Sequence, residues 1–271
     1  MKYAIVIPDG AADEPQEELE GLTPLASART PNMDWVSAHG RRGTVRNIPK
    51  GMDCGSDVAT LSVLGYDPRQ YYTGRAPLEA AARGVELGPD QWVFRSNLVT
   101  IIDGVMEDHS AGHISTEEAG VLVGELNRLL ARDRINFHVG VSYRHLMTLK
   151  GDIDVTTTPP HDILGRPVEE HMPAGPSGEV LGTIIQRSEQ VLVDHEVNRI
   201  RRDLGENPAT HVWLWGQGRR PDLPGFAERY GVRGAAISAV DLIRGLSLLI
   251  GWDFIEVPGA TGFLDTNFAG K

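Results

Sequence analysis

Two residues of this chain could share one metal ion. Asp9 closes an apolar run and precedes Gly10, while Ser56 lies in Gly55-Ser56-Asp57 at the start of a helical pattern. A carboxylate and a hydroxyl held at two strand ends can grip a divalent cation, which makes the hydroxyl a nucleophile near neutral pH. Each residue also has a plainer reading. Asp-Gly is a common turn pair, and serine is a common N-cap; their joint occurrence is what favours chemistry. Gly55 would let a ligand come close to the backbone. A helix N-terminus would stabilise an alkoxide or a transferring phosphoryl group. Cys54 adjoins the motif and is a weaker rival, because nothing else nearby would activate its thiol.

The arginines suit a phosphate ester. Arg75 sits in the loop Tyr72-Thr73-Gly74-Arg75-Ala76-Pro77, Arg95 and Arg144 fall in strand-like segments, and Arg219-Arg220 follows Gly216-Gln217-Gly218. Guanidinium forks match phosphate and carboxylate oxygens two at a time. Any one of these arginines is more often a solvated surface group, and the Arg219-Arg220 pair beyond two glycines is the strongest candidate. His161 and Asp162, after Pro159-Pro160, put an imidazole beside a carboxylate on a stiff loop, as an acid/base pair would require. His109 with His113, and Asp194 with His195, have metal-like spacing but are expected to be a loop and a helix face. No phosphate-cradling loop of the Gly-x-x-x-x-Gly-Lys type is present, and Gly216-Gln217-Gly218 does not continue as a dinucleotide fingerprint. No nucleotide cofactor is expected.

These groups need elements to hold them. Residues 3–8 and 44–48 read as strands, the first apolar enough for a parallel sheet covered on both faces. Helices are expected at 30–40, with Pro31 in the first turn, and at 56–64, stopped by Gly65. Residues 92–102 read as a strand turning at Asp103-Gly104 into Val105-Met106. Ser115-Thr116-Glu117-Glu118 is a capping box for a helix to about Ala131. One bent or two short strands should follow at 135–149, then a Pro/Gly-rich loop at 156–176 and a long helix at 177–204. After Asn207-Pro208, strands at 211–215, 235–240 and 254–257 alternate with helices at 223–230 and 241–250. This alternation implies right-handed crossovers in a doubly wound, mostly parallel α/β sheet. Residues 1–85 and 206–271 are therefore expected to form one domain, interrupted by a smaller α+β domain at 86–205.

Composition narrows the partners. The chain has 271 residues, 41% hydrophobic and 23% charged, with a net charge of −11. That charge disfavours nucleic acid and anionic membranes, so an anionic substrate needs a local arginine cluster. The lone cysteine, Cys54, excludes an internal disulfide and suits a cytoplasmic protein. No run is long enough to span a bilayer, and residues 1–8 are expected to enter a strand rather than form a signal peptide.

Several short motifs keep a shared order: Asp9-Gly10, Thr23-Pro24-Leu25, Thr30-Pro31-Asn32-Met33-Asp34, Gly55-Ser56-Asp57, Leu64-Gly65-Tyr66-Asp67-Pro68, Tyr72 through Ala80, and Gly259 through Asn267. Together they closely resemble the archaeal-type, cofactor-independent phosphoglycerate mutases of the alkaline phosphatase superfamily, over essentially the whole chain. The resemblance implies a phosphatase-like α/β domain carrying an inserted substrate-binding domain. It implies transfer of phosphate between the 3- and 2-hydroxyls of glycerate through a phosphoserine. Ser56 would be nucleophile and metal ligand, Asp9 a metal ligand, His161 and Asp162 the proton-handling pair, and Arg144, Arg219 and Arg220 substrate anchors. Two divalent ions (manganese, zinc or magnesium) would serve the intact enzyme.

Two departures are expected to matter. The family continues past Lys271 into a segment with the remaining Asp and His ligands, so this chain alone is expected to bind metal poorly and could be a silent fragment. The Pro-Pro-His-Asp loop and Trp215 through Arg220 resemble a bacterial side branch for which homoserine kinase activity is an alternative.

Overall fold

A computed structural model describes every residue except Asp133 and Phe263. The chain divides into two compact units, Met1–Arg46 and Asn47–Lys271.

In the first unit, helices form at Pro24–Ser27 and Pro31–His39. Both carry proline in the first turn, where its missing N–H costs nothing. The strands expected at 3–8 and 44–48 do not form. Those segments have no regular structure and stay open to solvent, Tyr3 at 76% and Val6 at 86%. An apolar run becomes a buried strand only with neighbours on its edges and faces, and no strand among the described residues pairs with either. Asp9 and Gly10 form a turn closed by Ala11 N–H donating to the Pro8 carbonyl at 3.2 Å, with Gly10 at φ 74°. Glycine tolerates that left-handed position, so the plain turn reading of Asp-Gly describes this backbone.

The second unit is built on a mainly antiparallel sheet, not on the doubly wound parallel one expected. Its strands are β1 (Gln91–Ile102), β2 (Val105–Asp108), β3 (Ile135–Val141), β4 (Arg144–Lys150) and β5 (His211–Arg219). The order is β3-β4-β1-β5, with β2 continuing the hairpin from the end of β1. Asp103 and Gly104 both have positive φ, 49° and 75°, as a two-residue hairpin turn with the right twist requires. The strand expected at 211–215 forms and extends to Arg219, but its partner is β1, antiparallel. Among the described residues, parallel pairing is confined to β6 (Ala235–Ala236) and β7 (Asp253–Phe254), which are too short to make a layer.

Helices Thr116–Leu130 and Gly178–Leu192 close one face of the sheet. Their buried Leu122, Leu126, Leu181 and Ile185 meet Phe94, Leu98 and Met147. Full burial of such a side chain contributes about 1.5–3 kcal/mol, so this stripe is the main source of stability. The capping box forms as expected, with Ser115 accepting from Glu118 N–H and Glu118 accepting from Ser115 N–H. The long helix expected at 177–204 is two helices. It breaks after Leu192, and His195 caps Glu196–Asp203 by accepting from Val197 N–H.

The opposite face carries helix Ala76–Ala82, whose Ala76 and Ala80 pack on Val93 and Leu146. Helix Asp241–Leu249 lies against it, and a side chain at Gly245 would run into the Leu78 carbonyl. Helix Ala76–Ala82 covers only part of this face. Several candidate residues lie on the remainder.

Candidate active site

Directly opposed residues of an antiparallel ladder share a face. Arg95 stands opposite Leu146 and Trp215, and Asn97 opposite Arg144 and Trp213. Asn97 Oδ1 accepts from the Trp215 indole N–H at 3.2 Å, and the Arg95 guanidinium lies 4.1 Å over the Trp215 ring. Arg75 precedes helix Ala76–Ala82, so Glu79 follows it at the i, i+4 spacing that brings side chains together. The Glu79 carboxylate is buried and accepts from both arginines: from Arg75 Nε at 3.2 Å and from Arg95 Nε at 3.1 Å. Burial lowers the Arg95 pKa and Glu79 raises it, while Arg75 and Arg144 press it down again; the net shift is downward. Two cations thus share one carboxylate, with Arg144 close enough to act on Arg95.

Arg75 is fixed by a seam of backbone on backbone. A side chain at Gly74 would strike the Gln217 carbonyl, and one at Gly218 the Thr73 carbonyl. Thr73 Oγ1 donates to the Arg219 carbonyl at 2.6 Å. Gly218 therefore serves close packing against the 72–75 loop, whereas Gly216, at φ 60°, lies against the Arg95 side chain. The 156–163 segment is anchored on the same strand. Trp213 Nε1 donates to Thr158 O at 2.8 Å, Thr157 Oγ1 to Gln217 Oε1 at 2.6 Å, and Gln217 Nε2 to Val155 O at 2.8 Å. These bonds set the His161 ring against Trp215, centroids 5.3 Å apart, with His161 Nε2 3.7 Å from Asp162 Oδ1. Both side chains are about half exposed, so the pair is open to a ligand.

Sequence reasoning set His109 aside, and the structure brings it back. Its ring lies 6.3 Å from that of His161 and 5.8 Å from that of Tyr143, which precedes Arg144. The 108–113 loop that carries it is tightly made. Asp108 accepts from Ser110 N–H, Ser110 Oγ–H, Gly112 N–H and Asn207 Nδ2. Partial burial raises the Asp108 pKa, but these four donors outweigh it and hold the carboxyl at about 2. Buried Arg201 donates to the Ala111 and Asn207 carbonyls and to Glu118, and pairs with Glu206. No sequence spacing announced Trp215, Asn97 or Tyr143; Glu79 was legible as the residue four after Arg75.

Ser56 is the first residue of helix Ser56–Val63, with Gly55 in the N-cap position, so capping is Gly55's role. Buried Asp57 accepts from the Tyr72 hydroxyl at 2.6 Å and from Val58 N–H at 3.0 Å. Burial, then the bond to Asp57, push the Tyr72 pKa upward. This contact ties the start of the serine-bearing helix to the segment that leads into Arg75.

Other candidates lie elsewhere. Arg219 stands opposite Trp92, stacks 4.8 Å over its indole and pairs with Asp152 at 3.1 Å. Trp92 is three residues from Arg95 along β1, roughly 10 Å, and five from Asn97 opposite Arg144, roughly 17 Å. Arg219 and its exposed neighbour Arg220 are thus not gathered with Arg75, Arg95 and Arg144. Asp194 and His195 lie at a helix break, and Cys54 is exposed. Among the described residues no three His, Cys, Asp or Glu side chains cluster as a metal site, and no helix is long and apolar enough to cross a membrane.

Comparison with known proteins identifies the family. Residues 37–198 match the family model described as 2,3-bisphosphoglycerate-independent phosphoglycerate mutase. A protein of that name from Methanothrix thermoacetophila is 52% identical over all of this chain, which covers 69% of that relative. One from Methanosarcina barkeri is 50% identical, again over all of this chain and 69% of the relative. Among solved structures, the PH0037 protein from Pyrococcus horikoshii aligns with a TM-score of 0.74 at 30% identity, covering 96% of this chain and 62% of that one. The cofactor-independent phosphoglycerate mutase from Thermoplasma acidophilum aligns at 0.56 and 30%, covering 92% and 69%. The chain belongs to the 2,3-bisphosphoglycerate-independent phosphoglycerate mutases, a family of isomerases.

Proposed function

We propose that this chain interconverts 3- and 2-phosphoglycerate by passing the phosphoryl group through Ser56. The observation that carries the reading is the gathering of Arg75, Arg95 and Arg144 beside His161 and Asp162, in a chain whose net charge is −11. Such a site suits a small phosphorylated hydroxy acid, with the guanidinium groups on its anionic oxygens. Arg219 and Arg220 would act at a distance from this cluster.

Ser56 Oγ forms a bond to phosphorus as the bond from phosphorus to O3 breaks. The serine proton leaves to a base, and O3 takes a proton to become a hydroxyl. His161 and Asp162 then remove the proton from the O2 hydroxyl, O2 attacks the phosphoserine, and Ser56 regains its proton. The N-terminal dipole of helix Ser56–Val63 favours the negative charge on the phosphoserine. Ser56 would supply a hydroxyl oxygen to a divalent metal, and Asp9 is a carboxylate of the kind that suits magnesium or manganese and is compatible with zinc. Bound there, the ion would lower the pKa of the serine hydroxyl. The phosphatase-like outer domain with a substrate-binding insertion, and action in the cytoplasm, belong to the same proposal.

The test is conversion of 3-phosphoglycerate to 2-phosphoglycerate, followed by a coupled enolase assay with manganese, magnesium or zinc. Activity should vanish in Ser56→Ala while the fold is retained. Turnover unaffected by that substitution, or no turnover in any metal, refutes the reading.

A further inference from the structure

We infer that Glu79 is a positioning residue that aims two guanidinium groups at the substrate's anionic oxygens; this rests on the phosphoglycerate reading of the same cleft. The arrangement is unusual in how the carboxylate is used. A carboxylate facing one arginine normally takes two parallel bonds from its fork. Glu79 instead gives one oxygen to each of two arginines, Oε1 to Arg75 and Oε2 to Arg95, and each is held by Nε alone. Among the described residues, neither arginine makes a hydrogen bond from its terminal nitrogens. Both guanidinium groups therefore keep their two-nitrogen ends for an acceptor that Glu79 cannot be.

The rest of the site prevents the two cations from separating. Arg95 has a 10% exposed side chain stacked on Trp215, and Arg75 is held at its Cα by the 72–75 seam against β5. Arg144 adds a third positive charge within reach of Arg95. Glu79 itself cannot swing away, because it is buried on helix Ala76–Ala82 between the sheet and helix Asp241–Leu249. Two guanidinium groups at a fixed spacing are a template for a phosphate or carboxylate, and a rigid template loses little entropy on binding.

A bare counter-ion and an aiming device predict opposite results. If Glu79 only balanced charge, removing its charge would leave the cluster more positive and tighten anion binding. If it aims the forks, Glu79→Gln offers one acceptor oxygen in place of two, releases one arginine and weakens binding. Glu79→Asp keeps the charge but draws the carboxylate back by one methylene, out of reach of at least one Nε. The probe is inorganic phosphate, titrated calorimetrically into the chain and both variants, with folding checked by thermal unfolding.

The expected result is a Kd for phosphate about tenfold higher in each folded variant, near 1.4 kcal/mol. In the mutase assay the KM for phosphoglycerate should rise more than kcat falls. Unchanged or tighter phosphate binding in either folded variant overturns the inference, as does a wild-type chain that binds no phosphate. Loss of mutase activity in the wild-type enzyme would instead refute the reaction while leaving the phosphate comparison intact.

Discussion

Arg201 makes a demanding test of how the His109 loop is held. Its side chain is 3% exposed and joins three parts of the chain. Nη2 donates to the Ala111 carbonyl at 2.9 Å, Nε to the Asn207 carbonyl at 3.1 Å, and Nη1 contacts Glu118 at 3.0 Å and Glu206 at 2.9 Å. Replacing it with alanine removes all of these and leaves a void. The two carboxylates are a third to a half exposed, so they recover water and their share of the loss is small. The carbonyls lose charge-assisted bonds worth about 1.5–3 kcal/mol each at full strength, and breaking a buried pair typically costs 3–5 kcal/mol. A destabilisation of about 3 kcal/mol is therefore expected for Arg201→Ala, measured by urea unfolding. Hydrogen exchange should speed up first at residues 109–113, because that loop loses its anchor while the sheet core keeps its packing. A loss below about 1 kcal/mol, or exchange that rises uniformly through β1 and β4, would refute this account.

Three further outcomes follow from the packing. Burial, followed by the nearby Arg83 charge, holds the His145 imidazole down to about 3. Its folded pKa lies below the unfolded one, so its contribution is intact above about pH 6.5 and is lost as pH falls toward 3; urea titrations of wild type and His145→Gln should show a shallower slope in the variant across that window. Gly218→Ala should cost about 2 kcal/mol or more, since the new methyl meets the Thr73 carbonyl, and a thermal shift of less than about 2 °C would contradict that clash. Tyr72→Phe removes a donor from buried Asp57 and should destabilise the chain by about 1–3 kcal/mol in chemical unfolding; a neutral result would mean water replaces the hydroxyl.

Local signals in the sequence were readable where local physics decides the outcome. The Ser115 capping box, the Asp103-Gly104 turn and the proline-led helix at Pro31 all formed as expected, because each depends on a few adjacent residues. Sheet partnership was not readable. The apolar run at 211–215 specifies a strand but says nothing about whether β1 or a parallel neighbour will receive it. The run at 3–8 has strand composition and no strand partner among the described residues. In the site, residue types pointed to Arg75, Arg95, Arg144, His161 and Asp162, which the sheet and its loops bring together. Arg219 was pointed to as well, but pairing opposite Trp92 carries it several residues down the strand from that group. Trp215 and Tyr143 could be found only in three dimensions, where a ring becomes a wall for a residue far back in the chain, His161 for Trp215 and His109 for Tyr143.

The glycine seam between residues 72–75 and β5 has a mechanical consequence. With main chain touching main chain, there is no compliant layer of side chains between the arginine-bearing turn and the strand beneath it. That wall of the cleft must travel as one stiff plate with the sheet. Any widening or narrowing around a guest has to come from the facing side, where His161 stands on a segment pinned by only a few hydrogen bonds.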